Sequence, residues 1–428
     1  MIVMNNNVDP IRSNYNEPNF DPAQIAPYTL EDPLTFLSGE KETTPKQWKT
    51  RRKEILKIFE KEMYGKEPPV PECVKIELIE EKNGALAGFA IRSQYRMWFK
   101  PDKSGPCLDF LVLRPRFFTK KARPVIFLNY DGNHELIPDE EVIIPEGLWS
   151  QFTDNHQVRQ RRGFQCDPNQ DSVLPIGMLL NSGFAVISCC YCQISPDPRC
   201  TESDARFRQE SFAYTKIFEL WGERDESLMD NITALGAWAW ALSRGLDLAY
   251  NIPQLDVEHS IVTGYSRLGK AALLAAARDE RFAVCFPVQS GGGGVTLAKR
   301  DFGENISTET HRFRHWYCKA YDKYAINPAK LLTFDQHLLV AALAPRKLLV
   351  AGFDEPWFDT EGEFLACKAA SPAWEICGKE SFPNVPFPRD FDTSAIGRDL
   401  GYYHRSEGHG IAYFDWLQIM RFANDEIQ

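Results

Sequence analysis

The chain is predicted to fold as a three-layer α/β sandwich, a mainly parallel sheet with helices on both faces and an antiparallel meander on its N-terminal side. Three observations predict it. From residue 124 onward, short apolar runs of strand length alternate with segments of helix length, the order that parallel strands and crossover helices leave in a chain. Before that point, strand-like runs follow one another with only turn residues between them. Finally, Ser260–Arg281 reads as a strand, a sharp turn and an alanine-rich helix.

Residues 1–45 are polar and proline-dotted and are expected to wrap the surface. Pro45 to Tyr64 reads as a helix with Trp48, Ile55, Leu56, Ile58 and Phe59 as its apolar stripe. Val74–Glu80, Leu86–Phe99 and Cys107–Pro115 are the strands of the meander, punctuated by Asn83-Gly84 and Ser104-Gly105-Pro106. Pro124–Tyr130 is an apolar strand ending in Asp131-Gly132-Asn133-His134. An irregular insertion of about residues 135–175 carries Trp149 and the basic residues Arg159, Arg161 and Arg162; loops of this length usually serve function.

Phe184–Cys192 is a further strand, and Asn231–Ala249, apolar nearly all round, a buried helix. Phe282–Pro287 is a strand leading to Gln289-Ser290 and four glycines. Asp335–Leu343 is a helix stopped by Pro345, Lys347–Ala351 a strand, Phe364–Ala369 the start of a helix, and Ala412–Ala423 the last helix. No repeat or linker interrupts the chain. A single domain over 1–428 is expected, with 1–70 as wrapping segment and helix and 71–428 as the sheet core.

Composition narrows the partners. The chain has 428 residues, 43% hydrophobic and 25% charged, as in soluble globular proteins. A net charge of −10 without a long basic run argues against nucleic acid. No run of about 18 apolar residues suggests a membrane span. The N-terminus has no basic start and no sustained apolar stretch, so the chain as it stands is expected in the cytoplasm, or outside the cell or in the periplasm if a signal peptide has been removed. Eleven cysteines, an odd number, show no disulfide framework and read as free thiols. Cys189 and Cys192 form a C-x-x-C, but strand alternation would point them to opposite faces, which argues against a metal site. Neither metal nor cofactor is expected, and the working unit is expected to be a monomer.

In a parallel sheet, ligands bind beyond the C-terminal ends of the strands. The tips Asp131–His134, Ser266, Gln289–Gly294 and Asp354–Trp357 should therefore converge, joined by a loop carrying His409. Gly264-Tyr265-Ser266-Arg267-Leu268-Gly269 has the layout of a nucleophile elbow, its second glycine one place later than in the commonest pattern. A serine nucleophile needs a base and an acid to orient that base. The chain offers them in the order Ser266, then Asp354 or Glu355, then His409, which lies between Gly408 and Gly410; His404 is the rival base. Arg267 beside the serine could hold a developing oxyanion. Lys270, four residues on, shares a helix face with Ser266.

The sequence resembles the bacterial glucuronoyl esterases of carbohydrate esterase family 15 over roughly residues 110–425. The likeness rests on Gly264–Lys270, Asp279–Phe282, Gln289–Gly294, Phe302-Gly303-Glu304, His315–Cys318, Asp335-Gln336-His337, Ala344-Pro345-Arg346, Glu355-Pro356-Trp357 and Gly408-His409. It implies an α/β-hydrolase fold and a serine esterase without metal or organic cofactor. Ser266 would be nucleophile, His409 base and Arg267 the oxyanion residue, with Lys270, Glu304 and Trp357 on the sugar ring. The implied substrate is a uronic-acid ester of plant cell-wall glycans, foremost a 4-O-methyl-glucuronoyl ester joining xylan to lignin alcohols. Acetylxylan or pectin methyl esters are the alternatives. Many family members carry a glutamate where this chain has Gln289, and an amide cannot supply the negative charge that stabilises an imidazolium. Glu355, two residues before Trp357, is therefore the expected acid, with Asp354 its neighbour. The same Gln289 keeps open a homologue that binds glycan without cleaving it.

Overall fold

The computed structural model describes residues 16–41, 44–153, 157–199 and 210–426. Residues 1–15 of the expected wrapping segment lie outside them. Nine strands form one sheet among the described residues: β1 (Lys75–Ala85), β2 (Ala90–Trp98), β3 (Cys107–Pro115), β4 (Arg123–Asn129), β5 (Phe184–Cys190), β6 (Ile261–Tyr265), β7 (Val284–Val288), β8 (Lys347–Phe353) and β9 (Leu400–Arg405). Their spatial order is β1-β2-β3-β5-β4-β6-β7-β8-β9. The pairings from β1 to β5 by way of β3 are antiparallel, and all others are parallel.

The core follows from strand alternation. Along β4, Ile126 and Leu128 enter one apolar cluster while Val125 and Phe127 enter the other; β5 divides Ala185 and Ile187 from Phe184 and Val186 in the same way. The first cluster takes the helices Ala234–Tyr250 and Arg267–Arg278, the second the helix Tyr413–Ala423. Burial on both faces is why these strands read as continuous apolar runs rather than alternating ones.

Two local expectations are corrected. The β1–β2 reversal falls at Leu86–Phe89, not at Asn83-Gly84. Gly84, at φ +93, lies at a register shift within β1, and pairing continues past it from Asn83↔Ile91 to Ala85↔Ala90. Strand β9 was not expected, because Leu400–Arg405 carries a glycine and a histidine and lacks the alternation of a half-exposed strand; all six residues are buried.

The insertion is tied to the C-terminal segment: the Val173 amide donates to the Ile411 carbonyl, and Trp416 Nε1 to the Val173 carbonyl, at 2.9 and 2.6 Å. Cys192 lies in the helical turn Tyr191–Ile194 after β5, its sulfur 3.2 Å from that of Cys190. No helix among the described residues is long and apolar enough to cross a membrane.

Candidate active site

Ser266 sits at the join of β6 and the helix Arg267–Arg278 with φ 56 and ψ −132. A non-glycine residue in that region is strained by about 1–3 kcal/mol, and strain of this kind collects at functional sites. Both glycines of the motif serve close packing. A Cβ on Gly264 would lie 2.5 Å from the Leu268 carbonyl oxygen, and one on Gly269 would lie 2.9 Å from that of Val288. The later second glycine is thus the one the elbow requires. The turn is fixed further by the Ser266 amide, which donates to the Val288 carbonyl at 3.0 Å, and by the Tyr130 hydroxyl, which donates to the Tyr265 carbonyl at 2.8 Å.

Ser266, Arg267 and His409 line one cavity of about 400 Å³. The tip after β4 contributes Tyr130, Asp131 and Glu135, and the insertion contributes Phe152, Arg159, Arg161 and Phe164. Burial and the neighbouring Asp131 raise the Glu135 carboxyl to about 7.

His409 is held from several sides. Its Nδ1 lies 2.8 Å from Gln289 Oε1, which also accepts from the Gly410 amide at 2.9 Å, while Gln289 Nε2 donates to the Gly408 carbonyl at 3.2 Å. The imidazole packs against the rings of Tyr265, Phe353 and Phe358, with centroids 5.6, 5.8 and 5.0 Å away. Burial lowers its pKa to about 4, with the charges of Arg267, Lys270 and Arg405 pushing the same way. The rival His404 is buried on β9, turned to the Pro388 carbonyl and stacked on Phe387.

The expected acid is not where the sequence order suggested. Asp354 and Glu355 are both exposed at the tip after β8, and neither carboxylate hydrogen-bonds His409. That tip turns Phe353 and Phe358 toward the imidazole and leaves the two carboxylates to water. Gln289, from the tip after β7, occupies the place at Nδ1.

Arg267 is anchored in a network that sequence reasoning missed. Its guanidinium pairs with the fully buried Asp197, whose carboxylate also accepts from Trp316 Nε1 at 2.9 Å and Gln151 Nε2 at 2.6 Å and lies 2.6 Å from His315 Nε2. Burial would raise the Asp197 carboxyl, but Arg267, His315 and Trp316 outweigh it and hold it well below the usual range. The guanidinium carbon also lies 4.9 Å from the Trp316 ring centre. Asp197, in Ser195-Pro196-Asp197-Pro198, had no local signal to mark it.

Lys270 does not join Ser266 in lining the cavity. A buried ammonium needs carboxylates, and Lys270 Nζ turns to Glu304 Oε2 at 2.7 Å, the Ser290 carbonyl at 2.8 Å and Glu309 Oε1 at 3.8 Å. Trp357, half-buried, gives its carbonyl to the Glu304 amide and lies 5.4 Å from the Arg312 guanidinium. The buried Trp316 ring lies between the arginine and lysine networks, 4.9 Å from the Arg267 guanidinium carbon and 5.6 Å from Lys270 Nζ. Among the described residues no cluster of three or more His, Cys, Asp or Glu side chains has the arrangement of a metal site.

A model of fungal glucuronyl esterases matches residues 193–378. Carbohydrate esterase MZ0003, from an unknown prokaryotic organism, is 30% identical over 95% of this chain and 91% of its own length. The 4-O-methyl-glucuronoyl methylesterase of Podospora anserina is 24% identical over 82% of this chain and 60% of that protein. Among solved structures, a glucuronoyl esterase from Solibacter usitatus superposes with a TM-score of 0.83 at 32% identity, over 95% of this chain and all of the other. A promiscuous esterase of carbohydrate esterase family 15 from a marine bacterial metagenome gives a TM-score of 0.83 at 29% identity, over 96% of this chain and all of its own.

Proposed function

This chain belongs to the glucuronoyl esterases of carbohydrate esterase family 15, and from that premise we propose that it hydrolyses glucuronoyl esters through Ser266, His409 and Arg267. The observation that carries this reading is the strained Ser266 elbow sharing one cavity with His409 and with an arginine held by a buried carboxylate.

Ser266 Oγ attacks the ester carbonyl. With Nδ1 donating to Gln289, His409 presents its Nε2 lone pair to take the serine proton. The oxyanion forms at the start of the helix Arg267–Arg278. As the first helical residue, Arg267 has an amide with no intrahelical partner, and its side chain adds a full positive charge. His409 then returns the proton to the leaving alcohol, and water, activated by the same base, releases the uronate from the serine.

The resemblance assigns the sugar ring to Lys270, Glu304 and Trp357. With Lys270 and Glu304 locked in a buried ion pair outside the cavity, the polar lining residues Asp131, Glu135, Gln170 and Arg161 are the groups open to sugar hydroxyls. The alcohol faces Phe152 and Phe164, aromatic walls suited to a lignin-type alcohol.

The test is turnover of methyl and benzyl glucuronate by the wild type and by Ser266→Ala, with fluorophosphonate labelling of the serine. Loss of turnover and labelling in the variant is expected; turnover retained by Ser266→Ala would refute the reading. Parallel assays on methyl galacturonate and acetylated xylan distinguish glucuronoyl from pectin methyl and acetyl esterase activity.

A further inference from the structure

We propose that Gln289 is a neutral third member of the catalytic triad, whose amide is oriented by the backbone on either side of His409 so that the imidazole keeps its base tautomer without a partner carboxylate. The proposal rests on the reading of Ser266 and His409 above.

The orientation of the Gln289 side chain is decided by groups that have only one role. The Gly410 amide can only donate, and it meets Oε1 at 2.9 Å; the Gly408 carbonyl can only accept, and it meets Nε2 at 3.2 Å. Oε1 therefore faces His409 Nδ1, which must carry the proton, leaving Nε2 unprotonated and free to act as base. An amide turned the other way would donate to Nδ1 and hold the inactive tautomer, the fault of an asparagine placed in a serine-protease triad. The loop prevents that turn. Gln289 is fully buried at φ 48, a left-handed conformation that a side chain adopts only when its surroundings hold it there.

The loop is matched to an amide rather than to a carboxylate. A glutamate in the same pose would set its second oxygen about where Nε2 now sits, against the Gly408 carbonyl. The cations nearest His409 each have a carboxylate of their own. Arg405 on β9 donates to the Gly408 and Gly410 carbonyls and is neutralised by Asp415. Arg267 is neutralised by Asp197, and Lys270 by Glu304. The other titratable groups around His409 are Tyr265, whose ring packs on it, and Asp171 of the insertion, beside Gly408. Asp354 and Glu355 at the β8 tip are exposed. A neutral orienting group leaves the imidazole hard to protonate, in line with its depressed pKa. The base then stays competent at acidic pH, while its protonated form in the transition state goes without carboxylate stabilisation.

The experiment is the pH profile of kcat/KM on benzyl glucuronate for wild type, Gln289→Glu, Gln289→Met and Glu355→Gln, with thermal unfolding to verify folding. For wild type, activity should fall with acid only below about pH 5, against about pH 6.5 for an unperturbed histidine. Gln289→Glu should move the acid limb upward by at least one pH unit. Gln289→Met keeps the side-chain volume and removes the amide; it should lower kcat by 100-fold or more with KM little changed. Should Gln289→Glu fail to fold, the methionine variant and the wild-type profile still decide. The proposal is overturned if Glu355→Gln moves the acid limb while Gln289 variants do not, or if the methionine variant keeps wild-type kcat. Failure of fluorophosphonate to label Ser266 in wild type would instead remove the esterase reading itself.

Discussion

Arg405 and Asp415 form a buried pair in which the guanidinium Nε lies 3.0 and 2.9 Å from the two carboxylate oxygens and Nη2 lies 2.6 Å from one of them. The same guanidinium donates to the carbonyls of Gly408 at 3.1 Å and Gly410 at 2.6 Å, the residues flanking His409. The pair thus couples the end of β9 and the start of the last helix to the position of the imidazole. Asp415→Ala strands a buried charge and should lower stability by about 3–5 kcal/mol in urea unfolding. It should also lower kcat in whatever protein remains folded, since the loop then loses its clamp.

The Arg267–Asp197 pair makes a second, separable prediction. Arg267→Met should reduce kcat on methyl glucuronate by about 100- to 1,000-fold, the usual effect of losing one oxyanion donor. Asp197→Asn keeps the arginine but releases it from its anchor, so a smaller fall in kcat is expected. Steady-state kinetics of the two variants should rank them in that order.

Glu363 provides a pH test of stability away from the reaction. It is fully buried; Oε1 accepts from the Gly291 amide at 3.0 Å, and Oε2 has no partner among the described residues. Burial raises its pKa from 4.5 to about 8. Between those values the unfolded chain has lost this proton and the folded chain keeps it, so this group's contribution to stability declines as pH rises through the window. Glu363→Gln should remove that decline. The drop in Tm from pH 5 to pH 8 should be smaller in the variant than in wild type; an equal or larger drop would contradict the assignment.

Gly264 tests the elbow's geometry. A methyl there would press within 2.5 Å of the Leu268 carbonyl oxygen, so Gly264→Ala should lower stability by about 1–3 kcal/mol and abolish esterase activity. Gly177→Ala, in the helix Ile176–Asn181, meets nothing within 4 Å and should leave the thermal midpoint unchanged or higher. The two midpoints measured side by side check the close packing rather than the residue type.

Much of the architecture was legible because it is local. Alternating strand and helix lengths report which segments are buried, and the strand–serine–helix pattern around Ser266 reports a turn that only small flanking residues permit. Chain order alone brought Ser266 and His409 toward one sheet edge. Strand β9 escaped because Gly401, His404 and Arg405 interrupt the continuous apolar run by which the other doubly buried strands are read.

The partner of His409 was decided only in three dimensions. Gln289 and His409 are 120 residues apart, and their contact depends on the β7 tip curling beneath the loop after β9. At the β8 tip, side-chain direction sent Phe353 and Phe358 toward the imidazole and Asp354 and Glu355 to solvent, which no motif spacing reveals. Lys270 illustrates the same limit. Helical spacing gave it the face of Ser266, but the free energy of burying an ammonium sent it to Glu304 and Glu309, which come from elsewhere in the chain. The sequence alone determined the fold and marked Ser266 and His409 as the candidate nucleophile and base, since each follows from local pattern and order. Tertiary structure decided what orients the His409 imidazole and what anchors Arg267, because hydrogen bonds and charge compensation in a buried site depend on groups distant in sequence.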